Sequence, residues 1–236
     1  LTPARGFVEP RAYQIYCLLA RAFFAMPTIR TMIEFQESLD KAYSWRIKEL
    51  DQLQTSIRFS GSEKARALIR AGVTMLYAHW EGFIKEASEC LLNYIAYKSL
   101  NYAELRPRLC ALGLKRGITE LIAASSTGQA ARVLENLIEE LSGKARIPHE
   151  NAIRTKSNLN SKVFKDVAFL LGIPLASYET KFQLIDLELL GRRNSIAHGA
   201  YLELNQREYL NLATEVHILL RAYKTDIENI AITESY

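Results

Sequence analysis

The chain has 236 residues, 49% of them hydrophobic, which is enough to fill the core of one large domain and excludes a disordered protein. Charged residues make up 24%, glycine and proline number only 11 and 6, and no charge-free apolar run reaches the roughly 20 residues that a membrane span needs. These figures describe a soluble, mostly helical protein. The three cysteines, Cys17, Cys90 and Cys110, are odd in number and lack CxxC spacing, which argues against a disulfide framework or a cysteine-rich zinc site and for a reducing, cytoplasmic setting.

Leu1 is not an ordinary start and Met26-Pro27 would serve as one, so residues 1–25 are read as an N-terminal extension and 26–236 as a single helical domain. The apolar stretch from Tyr13 to Ala25 is broken by Arg21 and does not make a convincing signal-peptide core. From Thr31 to Phe59, Met32, Phe35, Leu39, Tyr43, Ile47, Leu50 and Leu53 recur at helical spacing. Ser62 is the expected N-cap of the next helix, whose stripe of Ile69, Val73, Leu76, Trp80, Phe83, Ala87, Cys90 and Tyr94 predicts a long core helix ending near Asn101. On that stripe Trp80 and Phe83, with the neighbouring His79, read as core.

A looser region follows, punctuated by Pro107, Gly113, Gly117 and Gly128, and it reads as a helical insertion. Its last helix, Ala130 to Leu141, is expected to turn Val133, Leu134, Leu137 and Leu141 inward. Val163, Val167, Leu170 and Leu171 then make a short helix closed by Gly172. A further helix runs from about Tyr178 through Phe182, Ile185 and Leu189 to His198, where Gly199 stops it. The final helix, Gln206 to Ile230, carries Tyr209, Leu212, Val216, Leu219, Tyr223, Ile227 and Ile230 on one stripe. With no repeat and no strand pattern, the fold class is all-α: a helical bundle with a helical insertion and a basic loop.

That loop holds most of the charge asymmetry. Between Gly143 and Lys165 stand Lys144, Arg146, Arg154, Lys156, Lys162 and Lys165 against the single acid Glu150, a net +5 in a chain of net +4. Such a concentration suits phosphates or other anions, although a solvated loop has the same composition.

Several chemistries are excluded by their missing signatures: there is no glycine-rich phosphate loop, no GxSxG and no HExxH. The four histidines, His79, His149, His198 and His217, include no pair at helical ligand spacing, so no metal site and no cofactor is expected. The informative run is Gly191-Arg192-Arg193-Asn194-Ser195-Ile196-Ala197-His198-Gly199. Asn194 and His198 share a helix face, Arg193 is about 100° round but long, and Asp186 lies two turns back on the arginine's side. A guanidinium, an amide and an imidazole that converge on one phosphodiester can neutralise its transition-state charge and move a proton. The same residues also admit a structural reading: Arg193 paired with Asp186, Asn194 capping backbone, and His198 favoured by the helix dipole.

Arg193-Asn194-x-x-x-His198 resembles the Arg-x4–6-His signature of the HEPN superfamily (higher eukaryotes and prokaryotes nucleotide-binding). Two further blocks, Leu76-Tyr77-Ala78-His79-Trp80-Glu81-Gly82-Phe83-Ile84-Lys85 and Ser157-Asn158-Leu159-Asn160-Ser161, resemble a stand-alone bacterial HEPN subfamily found near toxin and phage-defence genes. The resemblance implies a helical domain that pairs with a second copy, and a metal-independent endoribonuclease that leaves 2′,3′-cyclic phosphate ends. It places Arg193 and His198 at the catalytic positions, with Asn194 as the polar residue beside them. Arg192 is expected to share the anion contact, and Asp186, added from spacing, to orient Arg193. Arg154, Lys156, Lys162 and Lys165 are the expected RNA contacts; aromatics there are too sparse in sequence to expect base stacking. Expected partners are RNA, a second copy and an antitoxin or other defence protein, with no membrane. The alternative is a non-catalytic HEPN module that binds RNA, a nucleotide or an antitoxin-type protein; a structural dimer that uses the motif as interface is a third reading.

Overall fold

The computed structural model describes residues 28–236, so the reading of residues 1–25 as an extension lies outside the described residues. The helices, in chain order, are α1 (Met32–Arg58), α2 (Ser62–Tyr97), α3 (Pro107–Gly113), α4 (Lys115–Ile122) and α5 (Thr127–Leu141). They continue with α6 (Ser161–Leu171), α7 (Ala176–Glu179), a π-helical stretch Leu184–Gly191, α8 (Arg192–Ala197) and α9 (Gln206–Ile232). Among the described residues there is no strand, only a single antiparallel pairing of Asn101 with Lys144, and no helix is long and apolar enough to cross a membrane.

Local chemistry sets the boundaries. Thr31 starts α1 by accepting from the Glu34 N–H while the Glu34 carboxylate accepts from the Thr31 N–H, which satisfies two donors the helix would otherwise leave unpaired. Asn205 and Glu208 start α9 in the same way. For α2, Gly61 rather than Ser62 takes the cap position, and the helix stops at Tyr97, short of the expected Asn101, because Ser99 turns left-handed (φ 51°). At 36 residues α2 is the spine of the molecule, ~54 Å long.

α1, α2 and α9 pack on one another, and the apolar stripes foreseen on α2 and α9 are buried throughout. Trp80, Phe83 and His79 are core residues as expected. Phe164 of α6 ties the layers together, with its ring centroid 5.4 Å from Trp80, 4.8 Å from Tyr178 and 5.9 Å from Tyr223. The α1–α2 seam also buries a charge, Arg46, which donates to the half-exposed Glu86 at 2.8 Å and to the Ala42 carbonyl at 2.6 Å, beneath the Trp45 ring.

The segment α3–α5 is the expected insertion, with a small core of its own made by Tyr102, Leu114 and Leu137. Its inward face differs from expectation. On α5 only Leu137 is buried and Val133 half-buried, while Leu134 and Leu141 stay 48% and 43% exposed, because α4 covers a single narrow stripe. The helix expected from Tyr178 to His198 is also not continuous. It breaks after Glu179, resumes at Phe182 and is π-helical before it reaches Arg192.

Candidate active site

Three sequence blocks that lie far apart in the chain meet around one guanidinium. Arg193 stands in the first turn of α8 with its guanidinium carbon 4.3 Å from the centroid of the Tyr77 ring on α2. One terminal nitrogen donates to Asn194 Oδ1 at 2.8 Å, and the other donates to the Ser157 carbonyl at 3.0 Å. Ring face, amide and carbonyl together fix a planar cation in one orientation. No carboxylate lies within ion-pairing distance of Arg193 among the described residues. Arg192 contrasts with its neighbour: it is paired with Glu188 one turn back, and its charge is already answered.

The block Ser157–Ser161 is the frame of this arrangement. Lys156 and Ser157 both have left-handed backbones (φ 54° and 53°), and the Asn158 N–H closes the turn on the Thr155 carbonyl at 3.0 Å. Two consecutive non-glycine residues at positive φ are a stored strain, and here they aim the Ser157 carbonyl at Arg193. Leu159, fully buried, donates its N–H to the Tyr77 hydroxyl at 2.7 Å. Burial pushes that hydroxyl up to about 12, so it stays neutral as it accepts. Asn160 caps α6 by accepting from the Val163 N–H at 2.9 Å.

Asp186 does not orient Arg193. Its two carboxylate oxygens accept from the Ser161 N–H and hydroxyl, both at 2.6 Å, which anchors the start of α6. The π-helical stretch supplies the reason: its wider turns hold more residues than an α-turn, so residues seven apart no longer stack on one side. Asp186 and Arg193 therefore address different neighbours, α6 and α2.

His198 closes α8. The Gly199 N–H bonds to the Ile196 carbonyl at 3.0 Å and the Ala200 N–H to the Ser195 carbonyl at 2.9 Å, with Gly199 at φ +76°, a left-handed conformation that suits glycine. The imidazole is exposed, and no hydrogen bond or ion pair engages its ring among the described residues. Asn194, one turn before it, bonds to Arg193 rather than to the histidine.

The expected RNA contacts divide. Arg154 and Lys156 are exposed and line a groove of ≈ 760 Å³ beside α4 and α6, and Lys156 is adjacent in sequence to the Ser157 that holds Arg193. Lys162 and Lys165 lie on exposed positions of α6, outside that lining; the Lys165 ammonium sits 4.4 Å from the Phe182 ring centroid. Sequence reasoning missed the role of Tyr77, although its block had been singled out, and the Ser157 carbonyl, which has no side-chain signature. No group of three or more histidine, cysteine, aspartate or glutamate side chains is placed to hold a metal ion among the described residues.

The arrangement offers an anion a fixed, unpaired cation with an exposed imidazole at the far end of the same short helix. No curated protein and no solved structure matches the chain. A sequence model of the RiboL-PSP-HEPN family matches residues 41–229, which takes in the Tyr77 block, the Ser157 turn and the Arg193–His198 helix. The chain belongs to the RiboL-PSP-HEPN family of the HEPN superfamily.

Proposed function

We propose that this protein is a metal-independent endoribonuclease that works as a pair of identical subunits. Membership of the family goes with a nucleotide- or RNA-directed role, and the observation that carries the finer reading is Arg193, held by Tyr77, Asn194 and Ser157 with no carboxylate paired to it among the described residues. A half-buried cation kept unpaired favours the arrival of an anion, and charge that grows on a phosphoryl group in the transition state strengthens the contact. In the reaction the ribose 2′-oxygen attacks the adjacent phosphorus and the bond from phosphorus to the 5′-oxygen breaks. A base takes the 2′-hydroxyl proton and an acid gives one to the departing 5′-oxygen. The products carry a 2′,3′-cyclic phosphate and a 5′-hydroxyl. Arg193 stabilises the phosphoryl oxygens, and Asn194 positions Arg193. His198 handles one proton, and the second copy supplies the other imidazole across a shared cleft. A toxin or antiviral-defence setting fits such an activity.

One observation favours the alternative of a binding module that does not cleave: among the described residues, no hydrogen bond or ion pair orients the His198 ring. Incubation of purified protein with labelled RNA in EDTA separates the two readings. The enzyme generates cyclic-phosphate ends, whereas the binder only retards the band. Arg193→Ala lowers the cleavage rate by about 10²–10³-fold and His198→Ala by about 10²–10⁴-fold, and both relieve growth inhibition by the expressed protein. Cleavage that persists in either variant overturns the mechanism.

A further inference from the structure

We propose that helices α3 and α4 of the insertion and the basic loop together form a track for single-stranded RNA, which leads the strand to Arg193. The inference rests on the ribonuclease reading for where the track ends, and not for its existence.

Two grooves of ≈ 780 and ≈ 760 Å³ adjoin, with Leu112, Lys115, Thr119, Ala152 and Arg154 lining both. One wall comes from α4, the other from the loop of residues 144–156. Along the two grooves stand Arg108, Lys115, Arg116, Arg146, Arg154 and Lys156, against only Glu150 and Asp166. Arg116 is paired with Glu120, and Arg108 donates to the Ser235 carbonyl. Lys115, Arg146, Arg154 and Lys156 are exposed and enter no ion pair among the described residues. Their charges are therefore free along the length of the path.

The near end is fixed by the left-handed turn: Lys156 lines the groove, and the next residue, Ser157, holds the Arg193 guanidinium through its carbonyl. The far end carries two rings that the sequence separates by half a hundred positions. Tyr97, from the last turn of α2, and His149, from the loop, both line the ≈ 780 Å³ groove and meet at a tilt of 55° with centroids 5.8 Å apart. Tyr97 remains 43% exposed. The sparse aromatics of the basic loop thus acquire a partner from another element, and the pair offers a base a stacking surface. Between the ends the floor is apolar, with Leu112, Ala152 and Ile153. Spaced cations for phosphates, an apolar floor and an exposed ring are what an unpaired strand requires. A duplex presents only its backbone and would leave the rings and floor unused.

The test measures binding of the full-length protein to a fluorescein-labelled 12-nucleotide strand of 2′-O-methyl RNA, which cannot be cleaved by 2′-oxygen attack. Each phosphate contact contributes about 0.7 to the slope of log affinity against log salt for single strands. Lys115→Ala/Arg154→Ala therefore flattens the slope by about 1.4, and Tyr97→Leu weakens binding by about tenfold with the slope unchanged. Lys41→Ala/Lys48→Ala, the same loss of charge on α1, leaves both quantities as they were. Since Lys115 and Arg154 are exposed, helicity and melting temperature of the double variant match the parent. Wild-type affinity and slope in the double variant overturn the track. So does preferential binding of poly-glutamate over the RNA strand, which would make the groove a dock for an acidic protein. Cleavage of an unmodified dinucleotide, which spans only the Arg193–His198 end, keeps the two proposals apart. If the protein binds the strand through the groove but cleaves nothing, the ribonuclease reading fails and the track stands; if it cleaves the dinucleotide and the double variant binds normally, the reverse holds.

Discussion

Trp80 and Leu137 represent two kinds of interior. Trp80 lies in the seam of α1, α2 and α9, where it joins Phe164, Phe83 and Tyr223 in one aromatic cluster of fully buried rings. Leu137 lies in the insertion, where three buried residues make the whole core and Ile122, Leu134, Ile138 and Leu141 face outward. The bundle buries enough apolar surface to be rigid, whereas the insertion depends on its edges: Arg108 on the C-terminal segment, and the short pairing of residues 100–102 with 143–145. The lesson is that the candidate site draws its positions from the first region and its reach from the second. Arg193 is placed by α2 through Tyr77, while the cations of the groove stand on a wall that can move.

The contrast can be broken most forcefully at its rigid end. Phe164→Ala removes the ring that joins four others and is expected to cost about 3–5 kcal/mol of global stability, read by chemical denaturation. Leu137→Ala is expected to cost about 2 kcal/mol, but locally. Hydrogen exchange would quicken in α4 and α5 while the amides of α2 keep their protection, and equal slowing or quickening in both regions would dissolve the distinction. The smallest effect is a pH slope from the bundle seam. Burial holds His79 and His217 below the ordinary histidine value of 6.5, with Glu49 and Asp51 only partly opposing it. The unfolded chain therefore binds protons that the folded chain refuses, so the stability these two contribute is present above about pH 6.5 and is lost as pH falls below it. Asp226 and Glu89, raised by burial, act in the opposite sense at lower pH. The difference between the parent and His79→Gln/His217→Gln isolates the histidines: the variant should show the flatter profile between pH 5 and 7.

Much of the bundle was legible because helical periodicity reports burial directly, and α2 and α9 were read stripe for stripe. Gly172 and Gly199 marked their helix ends through the left-handed conformation they adopt. What escaped was whatever depends on a partner element. Leu134 and Leu141 have the spacing of core residues, and only the absence of a second covering helix among the described residues leaves them exposed. The Arg193–His198 motif is visible in the sequence, but the contacts that hold Arg193 are a ring from 116 positions upstream and a backbone carbonyl, neither of which spacing can announce. Asp186 bonds to Ser161 rather than Arg193 because its segment winds more loosely than the α-helix that the seven-residue spacing implies. The far wall of the groove was hidden for a plainer reason: Lys115 and Arg116 sit in a segment of unremarkable charge and become part of a basic surface only when the insertion folds against the loop.

The loose winding of Leu184–Gly191 makes the placement of Arg193 a matter of residue number as well as residue type. Removal of a single residue from that stretch would let the backbone relax into ordinary α-turns without breaking the helix. A second residue lost from the same stretch could not be absorbed in this way, and everything downstream would then swing by about 100° around the axis. The guanidinium would leave the Tyr77 face while every motif letter from Arg193 to His198 survived, so a chain that spells the signature correctly could still have lost its anion site.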